Sequence, residues 1–177
     1  YQQATNLMGN LHVSGKVSDV SKLKKAQSLF DSILDWKDSR QKSAECRDGA
    51  DRIVKEDYYT KATQKKLSAS DEAGFKTAAT LFEKADDFKD AKIQKAACEE
   101  SAEACRKDAV ISFAVNSLAE VREKSVKGKA ARALLVDVDK QLSELSGWKN
   151  AAELAADCKK LKRRTSTGLK VTVLLCI

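Results

Sequence analysis

The sequence predicts an all-α fold of stacked antiparallel helical hairpins, an α-solenoid of about six helices. Three observations predict it. Ala, Glu, Lys, Leu and Arg fill about half of the 177 positions and there is no proline, the composition of long helices. Apolar residues recur at helical spacing, most clearly Ile93, Ala97, Ala104, Ile111, Val115 and Leu118, which read as one stripe. A motif centred on an aromatic residue returns three times, and internal repetition marks stacked architectures. All-β and doubly wound folds are excluded, because they need Gly/Pro punctuation between short strands. Leu, Ile, Val and Phe make up about 22% of the chain, above the level of a disordered segment. Much of the remaining apolar content is alanine, which removes little surface from water per residue. Stability must therefore come from many helix–helix contacts.

The repeated motif is Trp36-Lys37-Asp38, Phe88-Lys89-Asp90 and Trp148-Lys149-Asn150. Ten residues after each aromatic stands a cysteine, Cys46, Cys98 or Cys158, and eight after it an alanine, Ala44, Ala96 or Ala156. Six residues before it stands Phe30, Phe82 or Leu142, and ten before it Ala26, Ala78 or Val138. Asp38, Asp90 and Asn150 are N-cap residue types, whose side-chain oxygen accepts from orphan backbone N–H groups. Asp38 with Gln41 and Asn150 with Glu153 have capping-box spacing. Trp36, Phe88 and Trp148 are then expected to plug the corner between a short incoming helix and a long outgoing one.

Helices are expected over roughly 19–34, 38–68, 71–86, 90–125, 129–146 and 150–165. Ser70 and Asp71 open the third, and Gly128 marks the gap before the fifth. Residues 1–17 read as the end of a preceding repeat and a loop, with Tyr1 and Ala4 echoing Tyr59 and Ala62. Residues 18–165 form the helical-repeat domain of three units, and 166–177 the truncated start of a membrane segment. Since the chain opens at Tyr1 and stops inside an apolar run, it is read as a fragment.

The strings AQSLFDSILDWKDSRQKSAEC (26–46) and AATLFEKADDFKDAKIQKAAC (78–98) resemble a degenerate, tetratricopeptide-like helical repeat found in many proteins of Gram-positive and gut bacteria. The shared features are a Leu-Phe pair, a short acidic turn, an aromatic followed by Lys-Asp, and a cysteine one helix-length on. The resemblance spans roughly 18–165. In the third unit Asn150 replaces Asp and Leu142-Ser143 replaces the Leu-Phe pair. The period exceeds that of ordinary tetratricopeptide repeats, and their Trp, Leu-Gly and Pro signature is absent. The resemblance implies binding or scaffolding, membrane anchoring with the repeats outside the bilayer, and no catalytic residue.

The remaining chemistry-bearing residues read as structural. Three of the five cysteines hold equivalent repeat positions and are expected as compact buried hydrophobes. No Cys-x-x-Cys pair occurs, so neither a zinc site nor another metal site is predicted. His12 reads as a solvated loop residue, and Asp86-Asp87 and Glu99-Glu100 as a turn and an exposed face. No glycine loop for phosphate is present, and neither a cofactor nor a small-molecule substrate is expected.

The net charge of +7 is unevenly spread. The first 158 residues carry 27 basic and 26 acidic groups, and six basic residues with no acid follow Cys158. Nucleic acid is therefore not the expected partner, since phosphate recognition needs a contiguous positive face. Lys159, Lys160, Lys162, Arg163 and Arg164 precede the apolar run Leu169–Ile177 and are expected to meet an anionic membrane surface, on the cytoplasmic side where flanking cations remain. The function expected is a non-catalytic protein–protein interaction or scaffold module at the cytoplasmic face of a bacterial membrane, binding an unknown protein or another copy. A rigid spacer between a membrane span and an N-terminal domain is the alternative, and nucleic-acid binding through the basic tail a weaker one.

Overall fold

The computed structural model describes the backbone of residues 1–174 and the side chains of residues 1–165. Residues 175–177, the end of the expected membrane segment, lie outside the described residues. Among those described there is no strand. The helices are α1 (Gln2–Met8), α2 (Leu11–Ser14), α3 (Val20–Asp31), α4 (Ser39–Ser68), α5 (Glu72–Ala85), α6 (Ala91–Arg122), α7 (Gly128–Ser143) and α8 (Ala151–Leu174), with a 3-10 turn at Val17–Asp19. Seven of these have seven residues or more, one more than the six expected, because α1 forms a helix of its own. The stretch between Gly9 and Gly15, expected as a loop, contains the single turn α2. The helix expected to stop at 165 continues as α8 through Leu174.

The chain divides into two compact units, Tyr1–Ala102 and Glu103–Ile177. In the first unit α3 pairs with α4 and α4 with α5, while α1 packs on α3 and α2 on α4. Residues 1–17 thus belong to the first unit's fold. Leu23, Ala26, Phe30, Cys46 and Ile53 form one core with Ala4 and Met8 of α1. Ala62, Ala78, Phe82, Ala85, Ala91 and Cys98 form another. In the second unit α7 pairs with α8, and Ala114, Leu118 and Val121 of α6 close the core with Leu135, Val138, Leu142, Leu145 and Cys158.

The stripe expected along α6 is buried only in part. Leu118 is buried, but Ile93 is 70% exposed and Val115 44%, whereas Ala91, Cys98, Ala102 and Ala114, outside the stripe, are buried. In the first part of α6 the buried Ala91, Cys98 and Ala102 lie nearly opposite Ile93 around the helix, so the face that packs there is the other one. α5 opens as its sequence suggests: Asp71 is the N-cap, and its carboxylate accepts from the Gly74 N–H at 2.7 Å.

Gly49 lies in the middle of α4, where glycine disfavours a helix by about 1 kcal/mol. Packing explains it. A Cβ there would meet the His12 Cα at 2.6 Å, so only glycine lets the backbone of α2 rest on α4. Arg52, three residues on, donates to the carbonyls of His12 and Val13 and closes the end of that turn. His12 is half-buried, and its Nδ1 is buried without a partner, a different setting from the solvated loop expected. Gly49→Ala should therefore lower stability by about 1–3 kcal/mol, against the gain that helix propensity alone gives. Urea unfolding measures this, and an equally or more stable variant would show that α2 does not pack there.

Candidate functional site at the helix corners

The three motif copies form the same backbone corner. The N–H of Trp36, Phe88 and Trp148 donates to the carbonyl three residues earlier, that of Ile33, Ala85 and Leu145, at 2.9, 3.0 and 2.9 Å. Their own carbonyls accept from Ser39, Ala91 and Ala151 at 3.1, 3.1 and 3.0 Å. Between these bonds the lysine of each motif turns left-handed, with φ 50° at Lys37, 51° at Lys89 and 41° at Lys149. Such values are uncommon for a residue with a side chain. Ser39, Ala91 and Ala151, the first residues of the outgoing helices, are small and buried at every corner. The sequence reading has the lysine in the motif but not its left-handed turn, and it misses the small residue, although both recur at fixed offsets from the aromatic.

The carboxylates are not used as expected. Asp38 is the N-cap of α4 but its side chain makes no capping bond, and Gln41 bonds Glu45 instead of closing a capping box. Asp38 accepts from the Tyr1 hydroxyl, and Asp90 from the Tyr59 hydroxyl at 2.6 Å and from Gln94 at 2.8 Å. Tyr1 and Tyr59 are the two tyrosines that echo each other in the sequence, and each packs edge-on against the buried phenylalanine of its motif. Tyr1–Phe30 centroids are 5.8 Å apart and Tyr59–Phe82 centroids 5.5 Å apart, both at 74°. Lys37 and Lys89 sit 4.9 and 5.1 Å over these tyrosine rings. In both copies the left-handed lysine thus rests on a tyrosine, and the neighbouring acid accepts that tyrosine's hydrogen bond.

The third corner reverses donor and acceptor. Asn150 is exposed and its side chain makes no hydrogen bond among the described residues. The acid is Asp108, on the long helix, which accepts from the Trp148 indole at 3.1 Å and from Lys149 at 2.5 Å. Lys107 lies 4.8 Å over the Trp148 ring. A hydroxyl-to-carboxylate tie has become an indole-to-carboxylate tie with the roles exchanged.

The aromatics themselves are not deep plugs. Phe88 and Trp148 are half-buried, and Trp36 is 57% exposed beside the exposed Leu34. Fully buried at the corners are Phe30 and Phe82, with Leu142 and Leu145 in the third. Phe88 has a ring neighbour, Tyr59, at 5.7 Å, whereas the Trp36 ring is met by the Lys37 ammonium at 5.8 Å. Beside Phe88 an open groove of about 370 Å³ runs along Asp48, Asp51, Arg52, Lys55, Asp87 and Lys89. Lys55 spends its charge there on Asp86 and Asp87, at 3.1 and 2.5 Å.

Cys46, Cys98 and Cys158 are each fully buried in the core that holds the phenylalanine or leucine of their motif. Burial pushes all three thiols up. Cys158 donates to the Leu135 carbonyl at 3.1 Å. No group of three or more His, Cys, Asp or Glu that could hold a metal occurs among the described residues. In the basic cluster of α8, Lys159, Lys160, Arg163 and Arg164 are exposed, while Lys162 is half-buried and pairs with Asp139 at 2.6 Å. No helix among the described residues is long and apolar enough to cross a membrane. The chain matches no protein-family model, and the comparisons with curated proteins and with solved structures find no match either.

The tyrosine ties have a pH signature. The Tyr59 hydroxyl, and after it Gln94, hold the Asp90 carboxyl below the usual carboxylate range. A carboxyl depressed in the folded state stabilises the fold above its ordinary value, and that contribution is lost as pH falls through the folded value. Tyr59→Phe should therefore move the Asp90 titration upward and make the protein unfold at a higher pH on acidification. Carboxyl-carbon NMR reads the first effect and circular dichroism the second. An unchanged Asp90 titration would mean that the bond does not form.

Proposed function

We propose that this chain is a non-catalytic helical-repeat interaction module, a stack of hairpins that presents its corner side chains to a protein partner and holds its basic α8 against the cytoplasmic face of a membrane. The observation that carries this reading is the uneven burial of equivalent aromatics. A residue kept only to seal a corner would be covered in every copy. Phe88 and Trp148 are half-buried, while Trp36 leaves 57% of its surface to solvent next to Leu34. Tryptophan is the residue type most enriched at the energetic centres of protein interfaces. The resemblance of 26–46 and 78–98 to tetratricopeptide-like repeats points the same way.

The rigid-spacer reading draws on a different observation. α4 and α6 have 30 and 32 residues, so each extends about 45 Å or slightly more. In a spacer the length of these helices matters and the corner aromatics do not.

A photo-cross-linking amino acid at position 36, in the protein within its native cells, separates the two. The interaction module gives a discrete adduct from position 36, identified by mass spectrometry as one partner or as a second copy, and none from exposed position 67 on α4. Cross-linking that is absent at 36, or equal at both positions, would remove the interaction reading.

A further inference from the structure

The charge imbalance belongs to the second unit as a whole. Residues 103–177 carry 15 basic and 9 acidic side chains, against 18 and 17 in residues 1–102. Two acid-free runs account for the excess. One is the tail of α8, from Lys159 to Lys170. The other, outside the tail, runs from Lys124 to Arg132 across the α6–α7 turn and into α7, with Lys124, Lys127, Lys129 and Arg132. These runs are far apart in sequence and adjacent in the fold. Arg132, four residues into α7, donates to the Thr165 carbonyl at 2.9 Å, one residue past the last arginine of the α8 cluster.

The lysines of the turn are available for docking. Lys124, Lys127 and Lys129 are exposed and have no ion-pair partner among the described residues. On α8, Lys159, Lys160, Arg163 and Arg164 follow i, i+1, i+4, i+5 spacing and are all exposed, which puts them on one face. Of the neighbouring acids, Asp139 pairs with Lys162 at 2.6 Å, and Asp157 pairs with Arg122 at 2.7 Å and more loosely with Lys160 of the face at 3.5 Å. We propose that the α6–α7 turn and the exposed face of α8 form one composite cationic surface that docks on a bilayer of anionic phospholipid. The proposal deepens the membrane contact assigned above to α8 and rests on it.

The apolar residues beyond the cluster favour a bilayer over a nucleic acid. Arg164 is succeeded within ten residues by Leu169, Val171, Val173 and Leu174. Cations trailed closely by apolar residues on one helix suit an interface, where charge meets headgroups and apolar side chains enter the acyl boundary. A phosphate-tracking groove has no use for that run.

The test is co-sedimentation of the full chain with phosphatidylcholine vesicles, with and without roughly one-third phosphatidylserine. The variants are K124Q/K127Q/K129Q in the turn, K159Q/K160Q on α8, and K24Q/K25Q/K76Q, which removes the same charge from exposed sites in the first unit. Each surface lysine near an anionic leaflet contributes about a fivefold gain in affinity, so the turn variant, with three removed, should bind roughly 100-fold more weakly. The first-unit variant should stay within about threefold of the parent. Parent binding that the turn variant retains, while K159Q/K160Q loses it, overturns the composite surface and leaves the α8 contact standing. Equal losses in the turn and first-unit variants overturn it as well, because net charge alone would then explain binding. A parent that ignores anionic vesicles, or that binds duplex DNA and not vesicles, overturns both readings.

Discussion

Each corner that leads from a short helix into a long one depends on a lysine held at positive φ. Lys37, Lys89 and Lys149 share that conformation, and it reverses the chain in the fewest residues, flanked at each corner by the same two backbone hydrogen bonds. A left-handed conformation costs a residue with a Cβ about 1–2 kcal/mol. At the first two corners the surroundings offset part of this cost. The ammonium lies over a tyrosine ring at about 5 Å, an arrangement that contributes about 0.5–1 kcal/mol at an exposed site. The adjacent aspartate is fixed by the same tyrosine's hydroxyl. One tyrosine from an earlier part of the chain, Tyr1 before α1 or Tyr59 on α4, therefore anchors two consecutive residues of the turn. At the third corner Asp108 plays that part, binding Lys149 and Trp148 together.

That constraint fixes where the buried residues of each hairpin fall. Once the chain doubles back at a set point, the first residue of the outgoing helix is buried, and it is small in all three copies: Ser39, Ala91 and Ala151. The residue seven further on faces the incoming helix, which is where Cys46, Cys98 and Cys158 are buried. The second spacing between motifs is longer than the first without loss of register. α6 and α7 have 32 and 16 residues against 30 and 14 in α4 and α5, so part of the extra length is taken up within the helices, away from the corner.

Much of this was legible in the sequence. The all-helical class, the long helices α4 and α6, the start of α5 at Asp71 and the register of the three cysteines follow from composition, periodicity and repetition. The corner chemistry was not legible, because the capping rule is local. It assigns Asp38 and Asp90 to backbone N–H groups of their own helices, whereas the structure gives them to hydroxyls 37 and 31 residues earlier. Likewise nothing local to Gly49 reports that α2 will lie on it, and the apolar spacing along α6 does not report that Ala91, Cys98 and Ala102, on the side away from Ile93, are the residues that pack. The basic surface escaped for the same reason. Lys159 to Arg164 stand out as a run, but their neighbours Lys127, Lys129 and Arg132 become part of the same patch only when α7 folds back along α8.

The left-handed lysines can be tested directly by a nuclear Overhauser spectrum of the ¹⁵N-labelled protein. A positive φ brings a residue's own Hα close to its amide proton. Lys37, Lys89 and Lys149 should each show an intraresidue Hα–HN cross-peak markedly stronger than those of helical lysines such as Lys61 and Lys95. Cross-peaks of ordinary helical strength at two or all three would contradict a shared corner, and with it the repeat architecture built on that turn.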